Sequence, residues 1–354
     1  MIFTDDEIRT LIDDSMEAMA NTNLAIIYNA IGFTRKINKT HESTDFFSNE
    51  EIGEIFDSLI LNGINILPYP NELDFIKDIM EKKIDLNRLV VWNLSRQGSN
   101  NNQKSLITSL CDFETIPYIG SSVYAMNLAR NKFHFQKLLK SESLAFIPTF
   151  NIENFLNEIF SETDRFLLKK SNGSASRGIL SETTSKSHPE LTEYIQNNPI
   201  SKDLIVQKFI DGYEIEVPLF QINGEFKALG LAGISVKNSK FLYGKTLPEE
   251  MFEHSSQYDF FDFSDFAINC INYNSLKYIY QTAIDIANLL ELKDYCRVDF
   301  RVESGGNIYC FDISTTPYVT HHSSPNFLLK KRGFTHQTLL ALVFSAFNSN
   351  VGNH

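Results

Sequence analysis

The sequence predicts an α/β domain followed by a longer α+β region. Three observations lead there. Strand and helix signals alternate over the first third of the chain, which implies a parallel sheet with helices on its faces. In the remainder, Asn223-Gly224 and Gly305-Gly306 each lie between strand-like runs, as antiparallel hairpins require. The 354 residues exceed one compact core, so two or three domains are expected.

Leu24 to Tyr28 (LAIIY) reads as a buried strand. Ile52, Ile55, Phe56 and Leu59 fall at helical spacing, and Gly63 follows as a C-terminal stop. Ile64 to Leu67 is a short strand before Pro68. Asn71 caps a helix carrying Phe75, Ile76, Ile79 and Met80. Leu89 to Trp92 is a further strand, and Leu106, Ile107 and Leu110 mark a third helix. The first domain is expected to span 1–120, ending near Gly120.

Ser121 or Ser122 then caps a helix running to about Lys140, and Pro148 breaks the chain. Arg165 to Lys169 is a strand leading into a loop of small residues, SNGSASRG. Leu191 to Gln196 reads as a helix and Leu204 to Phe209 as a strand. Glu214 to Gln221 and Glu225 to Leu231 flank the first hairpin turn. Residues from about 238 to 272 are rich in aromatics, Asp and Ser and show no period. Such a stretch reads equally as a lid or binding loop and as a surface insertion. Leu276, Ile279, Ala283, Ile286 and Leu290 mark a firm helix. A central unit of 121–206 and a C-terminal unit of 207–354 complete the expected organisation.

Composition narrows the class. A formal net charge of −12 repels phosphate backbones, so nucleic acid is not an expected partner. Cys111, Cys270, Cys296 and Cys310 form neither a CxxC pair nor a zinc spacing, and read as reduced cytoplasmic thiols. The N-terminal MIFTDDEIRT lacks the apolar run of a signal peptide, and no stretch approaches the length of a membrane span.

The chemistry-bearing stretch is Tyr295 to Thr320, YCRVDFRVESGGNIYCFDISTTPYVT. Tyr295 to Val302 and Asn307 to Ile313 read as strands paired about Gly305-Gly306. Folding there sets Asp299 directly or diagonally opposite Asp312. Alternation places Arg297 and Asp299 on one face of the first strand, and Asp312 and Ser314 on one face of the second. Val298, Phe300, Phe311 and Ile313 take the other face, toward a core. Adjacent carboxylates repel, and a hard divalent cation relieves them; Mg²⁺ suits such oxygen donors. A salt bridge of Arg297 with either aspartate is the commoner use of these residues.

A second signal is the run from Lys169 to Gly178, KKSNGSASRG, a strand ending in lysine before a small-residue loop. Backbone N–H groups of such a loop approach phosphate oxygens closely, and the lysine neutralises them. Its spacing is not that of a P-loop.

Taken in order, these segments resemble the D-alanine–D-alanine ligase branch of the ATP-grasp superfamily. IPYIGSSVYAMNLARNKFHFQKLL is similar to the family's "pyvGsgv…DK…K.ll", and FLLKKSNGSASRGI to "vvKPa.egSSvGi", with Lys169 nine residues before Gly178. IVQKFIDGYEIEVPLF is similar to "vEkfi.GrEltv", YCRVDF to "..gRvDf", and FDISTTPYVTHHSSP to "lEvNt.PGmt.hSl.P". WNLSRQG resembles the end of the family's N-terminal domain. The resemblance runs from about Leu89 to Ala346.

The resemblance implies an ATP-grasp fold behind an N-terminal α/β (pre-ATP-grasp) domain, with ATP between the central and C-terminal units. Lys132, Lys169, Ser176, Gln207 and Glu214 would bind ATP. Gln207 stands where the family usually has Glu, and Glu214 would hold the ribose. Asp299, Asp312 and Ser314 would hold Mg²⁺, with Ser314 in place of an asparagine. Arg297 would stabilise charge on the tetrahedral intermediate, and Ser323 would hold the second substrate's carboxylate. The implied activity is ADP-forming ligation of a small carboxylate to an amine, with amino acids as the expected substrates, through an acyl-phosphate. A cytoplasmic enzyme with no membrane or nucleic-acid partner is implied, and a homodimer is allowed.

Departures fall on the amino-acid side of that pattern. Tyr318 replaces the glycine after proline, and Ala175 replaces a loop serine. YNAIGFTRKINKTHES lacks the usual Gly-Gly and glutamate near the first strand, leaving Glu42 as a distant candidate. YDFFDF, from Tyr258, resembles the omega loop without its lysine. His321 and His322 lie at the substrate end, where a base or ligand role competes with polar packing. Substrates other than two D-alanines are therefore expected. The alternatives are a D-alanine–D-alanine ligase with a divergent site, and an ATP-binding module with little or no catalysis.

Overall fold

The computed structural model describes residues 2–19, 22–30, 46–95, 103–172, 186–236, 258–267 and 273–351. Four parallel strands open the molecule: β1 (Asn23–Ile27), β2 (Asn65–Tyr69), β3 (Leu89–Asn93) and β4 (Tyr118–Ile119), in the order β2-β1-β3-β4. Helices Asn49–Leu61, Glu72–Met80 and Leu106–Glu114 connect them. Both faces are covered, which is why the strands are continuous apolar runs. Ala25, Ile27, Leu89 and Val91 pack on Phe75, Ile79 and Ile107; Leu24, Ile26 and Trp92 pack on Ile52, Ile55 and Leu59. Ser48 closes a capping box on the first connecting helix, and Asn71 caps the second. The expected stop at Pro68 does not hold: β2 runs through it to Tyr69. Proline is tolerated there because β2 is an edge strand, where the missing N–H breaks no ladder bond.

The helix expected from Ser121 or Ser122 to Lys140 is two helices, Val123–Arg130 and Lys132–Ser141. The break is at Asn131, whose ψ of 96° leaves the helical region and whose side chain accepts a bond from His134 N at 3.0 Å. A local side-chain acceptor outcompetes the continuing helix here.

A second, antiparallel sheet contains β5 (Thr149–Phe150), β6 (Arg165–Lys170), β7 (Lys186–Ser187) and β8 (Leu204–Lys208), in the order β5-β8-β6-β7. Position 206/207 falls inside β8. Phe155 from helix Ile152–Asn157, with Leu191 and Ile195 from helix His188–Asn197, pack on Phe166, Leu168 and Val206.

The largest sheet is antiparallel. It holds β9 (Tyr213–Ile222), β10 (Glu225–Ala228), β11 (Ala232–Val236), β12 (Tyr258–Asp262), β13 (Tyr295–Val302) and β14 (Ile308–Ser314). The order is β12-β11-β9-β13-β14, with β10 also on β9. Asn223 and Gly224 both have positive φ, 52° and 82°, as the tight β9–β10 turn demands. The stretch without a sequence period contributes β12 and helix Phe263–Ala267, and its residues 237–257 and 268–272 lie outside the described residues. Helix Tyr273–Leu289 and the two helices broken at Asn131 share one core with this sheet. Phe135, Leu139, Ile279, Ala283 and Ile286 meet Ile215, Val217, Val298 and Phe300 there.

Helices Ser324–Lys331 and His336–Asn350 are the last helices among the described residues. The last one joins the two ends of the molecule. Its Leu339, Leu340, Val343 and Phe344 pack with Leu24, Ile26 and Trp92 of the first sheet and with Phe220 and Tyr295 of the third. Trp92 Nε1 donates to the Tyr295 hydroxyl at 2.8 Å inside this core. Among the described residues no helix is long and apolar enough to cross a membrane.

Candidate active site

The β13–β14 hairpin sets Arg297 opposite Ser314 and Asp299 opposite Asp312. A bulge between Asp299 and Phe300 then shifts the register, so that Phe300 faces Cys310. Cys310 is therefore the buried residue beside Val298, Phe300 and Ile313. Phe311, expected in that core, is only half-buried, and its ring centroid lies 5.8 Å from the Arg301 guanidinium. One inserted residue reverses the facing of what precedes it.

Arg297 forks onto Asp299, Nε to Oδ1 at 2.7 Å and Nη2 to Oδ2 at 2.9 Å, and Nη2 also reaches Glu216 Oε1 at 3.1 Å. The salt-bridge arrangement foreseen for Arg297 and Asp299 is thus present. Burial pushes the Asp299 carboxyl up to about 7; Arg297 opposes this, and the Glu216 charge adds to it. Asp312 has a different partner. Lys132 Nζ lies 2.5 Å from its Oδ1. Burial alone would raise Asp312, but Lys132, in contact, and Lys169 hold it below the usual carboxylate range.

Lys132 opens its helix, and its backbone N donates to Ser171 O at 2.8 Å, just beyond β6. Ser171 Oγ donates to Asn131 Oδ1 at 2.9 Å. The end of the lysine-bearing strand is thereby fastened to the helix start. Lys169, on β6, is 7% exposed, and burial first, then the Lys132 charge, brings its ammonium down to about 7. Glu214 on β9 is matched by Arg301 Nη2 at 2.8 Å, while burial raises its pKa. Gln207 is buried on β8, with Nε2 donating to Thr149 Oγ1 at 2.9 Å.

Ser323 is the N-cap of helix Ser324–Lys331, and its hydroxyl donates to Thr320 O at 2.7 Å. Ser176, Ala175 and Glu42 lie outside the described residues. Tyr318 stands edge-on to Phe47, ring centroids 5.4 Å apart, so the loop that carries it touches the N-terminal region. His321 reaches the same region: its backbone N donates to Glu54 Oε2 at 2.8 Å and its Nδ1 lies 3.3 Å from Glu54 Oε1. His322 Nε2 is 3.1 Å from Tyr258 O.

Two site residues escaped the sequence reading, Arg301 and Glu216. The signal was present in YEIEVP and CRVDFR. Alternation puts Glu214 with Glu216, and Arg297 with Asp299 and Arg301, on single faces, and strand pairing brings the two rows together. What the sequence did not show is that β9 neighbours β13.

Among the described residues no three acidic, histidine or cysteine side chains gather to hold an ion by themselves. Asp299, Asp312 and Ser314 nevertheless offer oxygen alone, and Mg²⁺ is typically bound by one or two carboxylates with phosphate and water completing its shell. Glu216 Oε2, buried with no hydrogen-bond partner, leaves a further unsatisfied oxygen in the cluster. The residues fit the ion. The same cluster offers Lys132, Lys169, Arg297 and Arg301 to a polyanion.

Residues 162–344, more than half of the chain, match the family model "D-ala D-ala ligase C-terminus". The D-alanine–D-alanine ligase of Aquifex aeolicus is 24% identical over 282 residues, covering 77% of this chain and 88% of its own. Among solved structures, the VanG D-Ala:D-Ser ligase from Enterococcus faecalis aligns with a TM-score of 0.65 at 15% identity, over 92% of this chain and 99% of that one. The D-alanine–D-alanine ligase from Bacillus anthracis complexed with ATP gives 0.63 at 14% identity, over 94% and 99%. The fold is that of the ATP-grasp ligases, and the chain belongs to the D-alanine–D-alanine ligase branch of that superfamily.

Proposed function

We propose that this protein is an ADP-forming ligase that joins a small carboxylate to an amine, with ATP and Mg²⁺. The supporting observation is that charge converges from two sheets. Lys169 of β6 and Lys132 act on Asp312 of β14, beside the paired Arg297, Arg301, Asp299, Glu214 and Glu216 of β13 and β9. A nucleotide triphosphate fits among such cations, and its ribose hydroxyls suit a buried carboxylate such as Glu214.

In the proposed reaction a substrate carboxylate oxygen attacks the γ-phosphorus, the bond to the β–γ bridging oxygen breaks, and ADP leaves. The amine nitrogen then attacks the acyl carbon, phosphate departs, and the nitrogen loses a proton. Lys132 and Lys169 neutralise phosphate oxygens, and Arg297 stabilises the oxyanion. Mg²⁺, held by Asp299, Asp312 and Ser314, would neutralise charge on the transferred group. Gln207 and Ser176 complete the nucleotide contacts in this reading, and Ser323 the acceptor contacts. No side-chain nucleophile is required, because positioning and electrostatics carry both steps. Division into domains at 1–120, 121–206 and 207–354, a cytoplasmic location, amino-acid substrates and a homodimer belong to the same reading.

Substrates other than two D-alanines follow from Tyr318 and Ala175. The test is phosphate release with ATP and Mg²⁺, first with D-alanine alone and then with mixed amino acids. Release is expected only from the mixture. D-alanyl-D-alanine formation at about 1–10³ s⁻¹ would restore the ordinary specificity. Silence with every substrate would leave an ATP-binding module.

A further inference from the structure

The pairing of β9 with β13 sets Glu214 opposite Arg301 and Glu216 opposite Asp299. Glu214 has a cation of its own, Arg301 at 2.8 Å. Glu216 does not. Arg297 makes two bonds to Asp299, at 2.7 and 2.9 Å, and one longer contact of 3.1 Å to Glu216 Oε1. The Lys132 ammonium is in contact with Asp312. One guanidinium therefore serves two buried carboxylates. The unsatisfied atom is Glu216 Oε2, which has no hydrogen-bond partner although the residue is only 7% exposed. Leaving such an atom unpaired is costly, and more so when it is charged.

A second unpartnered atom stands beside it. Ser324, the first residue of helix Ser324–Lys331, is fully buried, and its Oγ completes no hydrogen bond. Burial raises the Glu216 carboxyl above the usual range; Arg297 opposes this first, and the Ser324 hydroxyl is close enough to oppose it as well. Tyr258 is near as well: burial raises its phenol first, the Glu216 charge second, and Tyr318 contributes. An ammonium would give the unpaired carboxyl and hydroxyl oxygens a donor and would favour the ionised carboxylate, with the Tyr258 ring close by.

We infer that Glu216 and Ser324 receive the amine substrate as a cation, the Glu216 carboxylate taking one ammonium proton so that the neutral nitrogen can attack. The inference deepens the ligase reading and rests on it for calling the amine a substrate. Glu216 acts as a specificity residue: it selects by charge what approaches Arg297.

The test separates the two claims. The full chain, in Mg²⁺-containing buffer, is titrated with D- and L-alaninamide, which carry an ammonium and no carboxylate, and with the neutral N-acetylalaninamide. At least one alaninamide enantiomer should bind at least tenfold more tightly than the acetylated form. Glu216→Gln should abolish that preference, and Glu216→Asp should keep part of it. Ser324→Ala, which removes only a hydroxyl, should weaken it severalfold. Equal affinity for charged and neutral probes in the wild type, or an undiminished preference in Glu216→Gln, overturns the inference. So does a preference that is seen only in Mg²⁺-free buffer, since the metal would then be relieving the charge. The ligase reading is tested apart from this, in the wild type, by hydroxylamine. That small uncharged nucleophile captures an acyl-phosphate as a hydroxamate, with release of phosphate. Absence of hydroxamate with every carboxylate tried would sink the ligase reading and leave the amine-binding result standing.

Discussion

At the scale of single residues, Lys169 is where protein stability and ligand binding oppose each other. Burial and the neighbouring Lys132 bring its ammonium down to about 7. In an unfolded chain the same group titrates at about 10.4. Between those values the unfolded state holds a proton that the folded state has released, so stability rises with pH across that window. Lys169→Met should remove this slope, with its stabilising effect largest near neutral pH and gone above the unfolded value. Thermal melting at a series of pH values checks it. A triphosphate beside Lys169 would return the proton. ATP binding just above neutral pH is then accompanied by proton uptake, measurable by calorimetry in buffers of different ionisation enthalpy. Lys169→Met should abolish the buffer dependence, and an unchanged dependence would assign the proton elsewhere.

At the scale of elements, Asn131 does two jobs that a sequence pattern does not separate. It caps the helix that begins with Lys132, and it receives the Ser171 hydroxyl from beyond β6. Asn131→Ala should cost about 1–2 kcal/mol, the upper part of the range for a lost cap. It should also weaken ATP binding by loosening Lys132. Urea midpoints and nucleotide titrations together check this; an unchanged midpoint would count against the cap. The same element shows why legibility was partial. Apolar spacing through Val123–Leu139 is continuous, so it reads as one helix, and only a tertiary partner at Ser171 makes the break worthwhile. Most strands were readable because apolar runs such as LAIIY have both faces covered. The bulge after Asp299 was not, because alternation carries no mark of an inserted residue, and Phe311 was placed in the core on that account. The facing of Arg297, Asp299, Asp312 and Ser314 was readable, since a hairpin pairs by local geometry. Glu216 and Arg301 required knowing that β9 lies beside β13, a contact between strands more than seventy positions apart.

At the scale of the whole molecule, the final helix makes the two ends of the chain one packing unit. Trp92 of the first sheet bonds to Tyr295 of the third within that core. Trp92 is also the sole tryptophan, so its fluorescence reports this junction. Tyr295→Phe removes one hydroxyl and leaves the indole N–H without its acceptor, at a cost of about 1–3 kcal/mol. Urea unfolding followed by fluorescence and by circular dichroism should show coincident transitions at a lowered midpoint. A fluorescence transition that precedes the loss of helix would mean that the first sheet detaches on its own.

The proline inside β2 bears on assembly. An outer strand normally offers a row of amide donors to any passing chain, and a ring nitrogen removes one of them in mid-row. The parallel sheet is thus blunted at that margin against growth by addition of another strand. Association of two copies by adding a strand at β2 is thereby disfavoured.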